Sequence, residues 1–195
     1  MMEKFVPAVY GSRDQSVSPS HRTVRFPVNA FLEKALKKED EIRIILLAKK
    51  DSQNHYQQNI SSFKEEFAEV NREIGAQAEY VILDTDYSEQ KTVHEQLLGT
   101  IVEELDTGSH IIADITYGPK DLPVVIFTAL NFAEKFLNCQ IDNIIYGKAE
   151  FAEGKPVNTE LCDMTPLYYL SSITNLVHCA EPEKARGMLR SLLSL

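Results

Sequence analysis

Two stretches of the chain carry residue types from which an anion site can be built. One is Thr116-Tyr117-Gly118-Pro119-Lys120-Asp121, directly after Asp114-Ile115; the other is Gly11-Ser12-Arg13-Asp14-Gln15-Ser16. Gly118 can take positive φ and lets the backbone approach a ligand closely. Thr116, Ser12 and Ser16 can donate hydroxyl hydrogen bonds. Arg13 can grip a phosphate in bidentate fashion, and Lys120 supplies a point charge. An apolar helix expected over residues 122–137, with Asp121 as its N-cap and Pro123 in its first turn, would add free N–H groups and the positive end of its dipole. The other reading of both stretches is a tight strand–helix turn whose Gly and Pro serve geometry and whose charges are solvated.

The elements that would position these loops alternate along the chain. Apolar, β-rich runs at residues 5–10, 42–48, 79–83, 110–116 and 143–149 read as strands. Residues 29–38, 60–74, 92–105, 122–137, 165–179 and 183–195 read as helices; Ile60, Phe63, Phe67, Val70 and Ile74 mark one helical face. This pattern predicts an α/β fold: a Rossmann-like parallel sheet of order about 3-2-1-4-5, helices on both faces, and closing C-terminal helices. In that order strands one and four are neighbours at the reversal point, so the loops at 11–16 and 116–121 would face each other across the site. Two segments lack regular patterning, residues 11–27 and 153–166, and the second reads as a surface loop.

Composition narrows the function. The chain has 195 residues and a net charge of −9. The first 50 residues carry +4 and the remainder −13. That balance speaks against tracking duplex nucleic acid, which needs a broad basic face. No apolar run approaches the roughly 20 residues of a membrane span, and no signal-peptide pattern opens the chain, so a cytoplasmic protein is expected. The three cysteines and five histidines have no metal-ligand spacing, so no metal and no cofactor is expected, and the thiols read as buried and reduced. Gly-x-Gly-x-x-Gly, the Gly-x-x-x-x-Gly-Lys phosphate loop and the Gly-x-Ser-x-Gly elbow are all missing. Asp84 and Asp86 come after strand three and read as turn caps.

From Asp114 to Pro123 the sequence resembles the CARF family, the CRISPR-associated Rossmann-fold domains. One branch of that family carries Asp-x-Thr-His-Gly followed by Leu-Pro at the head of an apolar helix. Here Tyr117 stands for His, and Pro119-Lys120-Asp121 for an aromatic-Arg-Ser stretch. Ile145-Tyr146-Gly147-Lys148-Ala149 is similar to that branch's apolar-Tyr-Gly-Ala strand, and Met164-Thr165-Pro166-Leu167 to its Asp-Leu-Thr helix entry. The likeness covers roughly residues 4–180. It divides the chain into a CARF-like Rossmann domain, 1–180, and a C-terminal helix, 181–195, and so resembles a stand-alone CARF domain or a piece of a longer effector.

The resemblance implies a role in type III CRISPR antiviral defence. It implies a homodimer binding a cyclic oligoadenylate, with tetra-adenylate the expected ring, through Gly11, Ser12, Arg13, Ser16, Thr116, Tyr117, Gly118, Pro119 and Lys120. It also points to a ring nuclease that opens the messenger without a metal, Lys120 stabilising the phosphorane and Ser12 orienting the reacting groups as catalytic residues. The alternatives are a non-catalytic sensor or adaptor acting on a separate partner, and a Rossmann-like domain binding another nucleotide.

Overall fold

The computed structural model describes residues 8–9, 24–49, 55–86, 90–153, 155–176 and 181–193. In chain order the elements are β1 (Ala8–Val9), α1 (Pro27–Ala35), β2 (Glu41–Lys49), α2 (His55–Ile74), β3 (Gln77–Thr85), α3 (Lys91–Glu103), β4 (His110–Asp114), α4 (Leu122–Phe136), β5 (Gln140–Ala152), β6 (Lys155–Asp163), α5 (Thr165–Leu176) and α6 (Pro182–Leu193).

β2 and β3 form a parallel pair in register from Glu41 opposite Gln77 to Lys49 opposite Thr85. Both faces of this pair are apolar, which is why the strands read as continuous hydrophobic runs. Ile44 packs with Leu32 of α1 and Phe63 and Phe67 of α2. Ile45, Leu47, Val81 and Leu83 pack on the other side against Leu97 and Ile101 of α3 and Leu122, Val125 and Ala129 of α4. A third cluster joins Leu130 of α4, Ile141 and Ile144 of β5 and Tyr168 of α5. Helices therefore cover both faces, as the strand–helix alternation requires.

The strand order differs from the expected 3-2-1-4-5. The described strands form a four-stranded mixed sheet, β1-β6-β5-β4, and the separate pair β2-β3. The segment at 153–166, expected to be an irregular loop, holds β6, which returns antiparallel along β5. Its signal was present as alternation: Val157, Thr159 and Leu161 against Asn158, Glu160 and Cys162. Pro156 masks it, but this proline pairs with Phe151 beside a register shift near the start of the strand, where a missing N–H is tolerated. β1 lies parallel to β6, and so runs opposite to β4, with β5 and β6 between them. Among the described residues no helix is long and apolar enough to cross a membrane. α6 buries none of its described residues, and Met188, Leu189, Leu192 and Leu193 lie exposed.

Candidate functional site

β4 ends in a turn held by its own side chains. The Asp114 carboxylate accepts the Thr116 N–H at 2.8 Å, an Asx-type turn. The Thr116 hydroxyl oxygen accepts the Gly147 N–H from β5, also at 2.8 Å. Burial pushes the Asp114 carboxyl above its ordinary range, and its hydrogen bonds with Thr116 pull it part of the way back. Gly147 is required here because Pro27, at the first position of α1, lies directly over it; a Cβ would fall 2.8 Å from the Pro27 Cβ and 3.2 Å from the Thr116 methyl. α1 is thereby seated against β5 at the point where the Thr116 loop begins.

Tyr117 closes the loop onto α1. Its hydroxyl donates to the Arg25 carbonyl at 2.9 Å, and its ring meets Phe26 edge to face at 6.3 Å. Burial, with Asp114 and Glu66 nearby, pushes its phenol up to about 12. The residue as a whole nevertheless stays 44% exposed. Gly118 has φ +117°, in the region that favours glycine, and a Cβ there would come 2.5 Å from the Leu122 side chain. The chain thus curls back over the start of α4.

Two helix starts near this loop differ in how their N–H groups are used. Glu66 of α2 accepts the N–H groups of Arg25 (2.6 Å) and Phe26 (3.1 Å) and the Asn29 amide (2.8 Å). A carboxylate already holds the anion position at the head of α1. At α4 the expected set of free N–H groups is not found. Leu122 N–H donates to the Pro119 carbonyl, Val124 and Val125 N–H to the Asp121 carbonyl, and Pro123 has none. The unpaired donors lie earlier, in the loop itself: among the described residues the N–H groups of Tyr117, Gly118, Lys120 and Asp121 make no hydrogen bond. Lys120 is exposed and has no ion pair among the described residues.

Asp121 occupies the N-cap position of α4, as expected, yet its side chain does not cap the helix. It accepts a hydrogen bond from His94 Nε2, in the first turn of α3, and its other oxygen is buried without a partner among the described residues. Sequence reasoning passed over His94, because 27 residues separate it from Asp121. One signal did exist: His94 precedes Leu97 and Ile101 on the packed face of α3, an uncommon place for a polar residue.

Of the expected site residues, the structure places Thr116, Tyr117, Gly118, Pro119 and Lys120 together between β4 and α4. Gly11, Ser12, Arg13 and Ser16 lie outside the described residues. The strand adjacency expected to bring them beside Lys120 is not found, since β1 pairs with β6. Asp84 and Asp86 are exposed. His110 pairs with Asp142 at 3.0 Å, at the opposite end of β4. Cys139 is buried and Cys162 half-buried. Among the described residues no group of three or more His, Cys, Asp or Glu side chains could hold a metal ion. No protein-family model matches the chain, and a comparison with curated proteins finds no significant relative.

Proposed function

We propose that this chain binds a cyclic oligoadenylate through the loop from Thr116 to Asp121 and opens the ring. One observation carries the reading: a short loop bent by Gly118 leaves four main-chain N–H groups unpaired among the described residues, beside the exposed Lys120. The free amides fall in two adjacent pairs, Tyr117–Gly118 and Lys120–Asp121, on either side of Pro119; adjacent free amides suit phosphate oxygens, and Lys120 adds the neutralising charge. Tyr117, an exposed residue, adds an aromatic ring of the kind on which a base can stack. The Asp114-Thr116-Gly118 likeness to the CARF family directs this generic nucleotide chemistry toward a ring of adenylates.

A ring with two-fold symmetry suits two copies of the chain, each presenting the same loop to one half. Val124, Phe132 and Phe136 along α4, with Leu167 and Leu170 on α5, are exposed apolar side chains of the kind a second copy covers. In this reading the protein acts in the cytoplasm, in type III antiviral defence. Opening the ring proceeds by attack of a ribose 2′-oxygen on the adjacent phosphorus. Lys120 stabilises the charge that develops there.

The test is a melting-temperature series with cyclic tri-, tetra- and hexa-adenylate, followed by separation of linear products. A shift with at least one ring, and loss of about 10- to 100-fold in affinity in Lys120→Ala, are expected for removal of a charge-assisted contact. No shift with any ring overturns the reading. Binding without linear product leaves a sensor or adaptor that holds the ring for a separate partner.

A further inference from the structure

We propose that His94 is the proton acceptor for ring opening and that Asp121 is its positioning residue, an inference that rests on the reading above. The geometry is that of a paired imidazole and carboxylate. Asp121 accepts a hydrogen bond from His94 Nε2. A carboxylate in this position fixes the neutral ring as the Nε2–H tautomer, so the remaining acceptor is Nδ1. No described residue bonds to Nδ1. Both side chains are about a third open to solvent, at 32% and 28%, so the imidazole is partly accessible rather than sealed in the core.

Position supports the same role. His94 lies in the first turn of α3 and Asp121 at the head of α4, and these helices come directly after β3 and β4. The pair therefore sits at the carboxyl ends of the two strands, the edge where α/β sheets receive ligands. Lys120 precedes Asp121 in the chain, so the free N–H groups, the cation and the imidazole belong to one short neighbourhood. Leu97, Ile101, Leu122 and Val125 pack α3 against α4 just below the pair and fix its spacing. The packing explains why the two helices meet, and it does so without needing a histidine above it.

The step balances without an added reagent. The ribose 2′-oxygen forms a bond to phosphorus as its proton passes to His94 Nδ1. The bond from phosphorus to the 5′-oxygen breaks, and that oxygen takes a proton from water. The imidazolium returns its proton to the hydroxide so formed. The products are a linear oligoadenylate with a 2′,3′-cyclic phosphate at one end and a 5′-hydroxyl at the other.

The experiment compares wild type, His94→Ala and Asp121→Asn, measuring binding of cyclic tetra-adenylate by melting shift and ring opening by product separation. His94→Ala is expected to lower kcat at least about 100-fold with KM and the melting shift little changed, and added imidazole to restore part of the rate. Asp121→Asn is expected to lower kcat about tenfold or more with KM held. A fully active His94→Ala overturns the inference while the binding reading stands, as does a His94→Ala whose lost rate imidazole fails to restore. A wild type that binds the ring without opening it has the same effect. A wild type that neither binds nor opens the ring overturns both.

Discussion

Two Asp-x-Thr turns flank β5, and they are built alike. Asp114 of β4 and Asp163 of β6 both lie opposite Ile145. Each carboxylate accepts the N–H of the threonine two residues on, at 2.8 and 2.9 Å. Each threonine hydroxyl oxygen then accepts a β5 N–H at 2.8 Å, Gly147 for Thr116 and Ile144 for Thr165. The turns differ in the chain beyond the threonine. α5 starts at Thr165 itself, which is buried over Ile144. After Thr116 the chain runs through Tyr117, Gly118, Pro119, Lys120 and Asp121 before α4 begins. The shared device is thus anchorage: it fixes where a chain leaves the sheet and satisfies a β5 N–H that would otherwise be orphaned. Candidate chemistry belongs to the extra loop at one of the two turns.

Substitutions can break this comparison, and the largest effect is expected at its hinge. Gly147→Ala drives a methyl into the Pro27 ring, which cannot swing aside, and should cost about 3 kcal/mol in urea unfolding. A neutral result would mean that α1 is not seated on β5 as described. Thr165→Val keeps the volume but leaves the Ile144 N–H unpaired in the core; a loss of about 2 kcal/mol is expected. Thr116→Val makes the same change where solvent can partly compensate, and about 1 kcal/mol is expected. If chemical denaturation ranks Thr116→Val above Thr165→Val, the two turns do not divide into a buried anchor and a half-open one.

The smallest effect carries a sign. Burial raises the Asp114 carboxyl in the folded protein above its unfolded value. The folded state therefore holds its proton to higher pH than the unfolded chain, and stability falls as pH rises through the folded value. Asp114→Asn keeps an oxygen for the Thr116 N–H and removes that charge. It should be slightly more stable than wild type at pH 7, with the difference shrinking toward about pH 4, where an unfolded aspartate becomes protonated. Melting curves across that range check it, and a variant that loses stability at pH 7 would show that the carboxylate charge is needed by the turn.

Local physics determined much of the molecule. Strands such as Ile44–Leu47 are apolar on both faces because helices cover both, and that leaves a continuous hydrophobic run in the sequence. Helix α2 is legible from the spacing of Phe63, Phe67 and Val70, and the loop from Thr116 to Lys120 from its glycine and lysine. β6 was obscured because Pro156 gives the same local signal at the start of a strand as in a loop.

Only the tertiary structure decided the rest, since strand adjacency depends on which long-range pairings close and not on any segment's own preference. It put β6 beside β1 and separated β1 from β4. It placed Pro27 over Gly147, and it gave the Glu66 carboxylate to the head of α1 while leaving the amides before α4 without a partner among the described residues. It also joined His94 to Asp121, two side chains that no periodicity relates, because α3 and α4 pack by their apolar stripes and whatever tops those stripes is brought into contact.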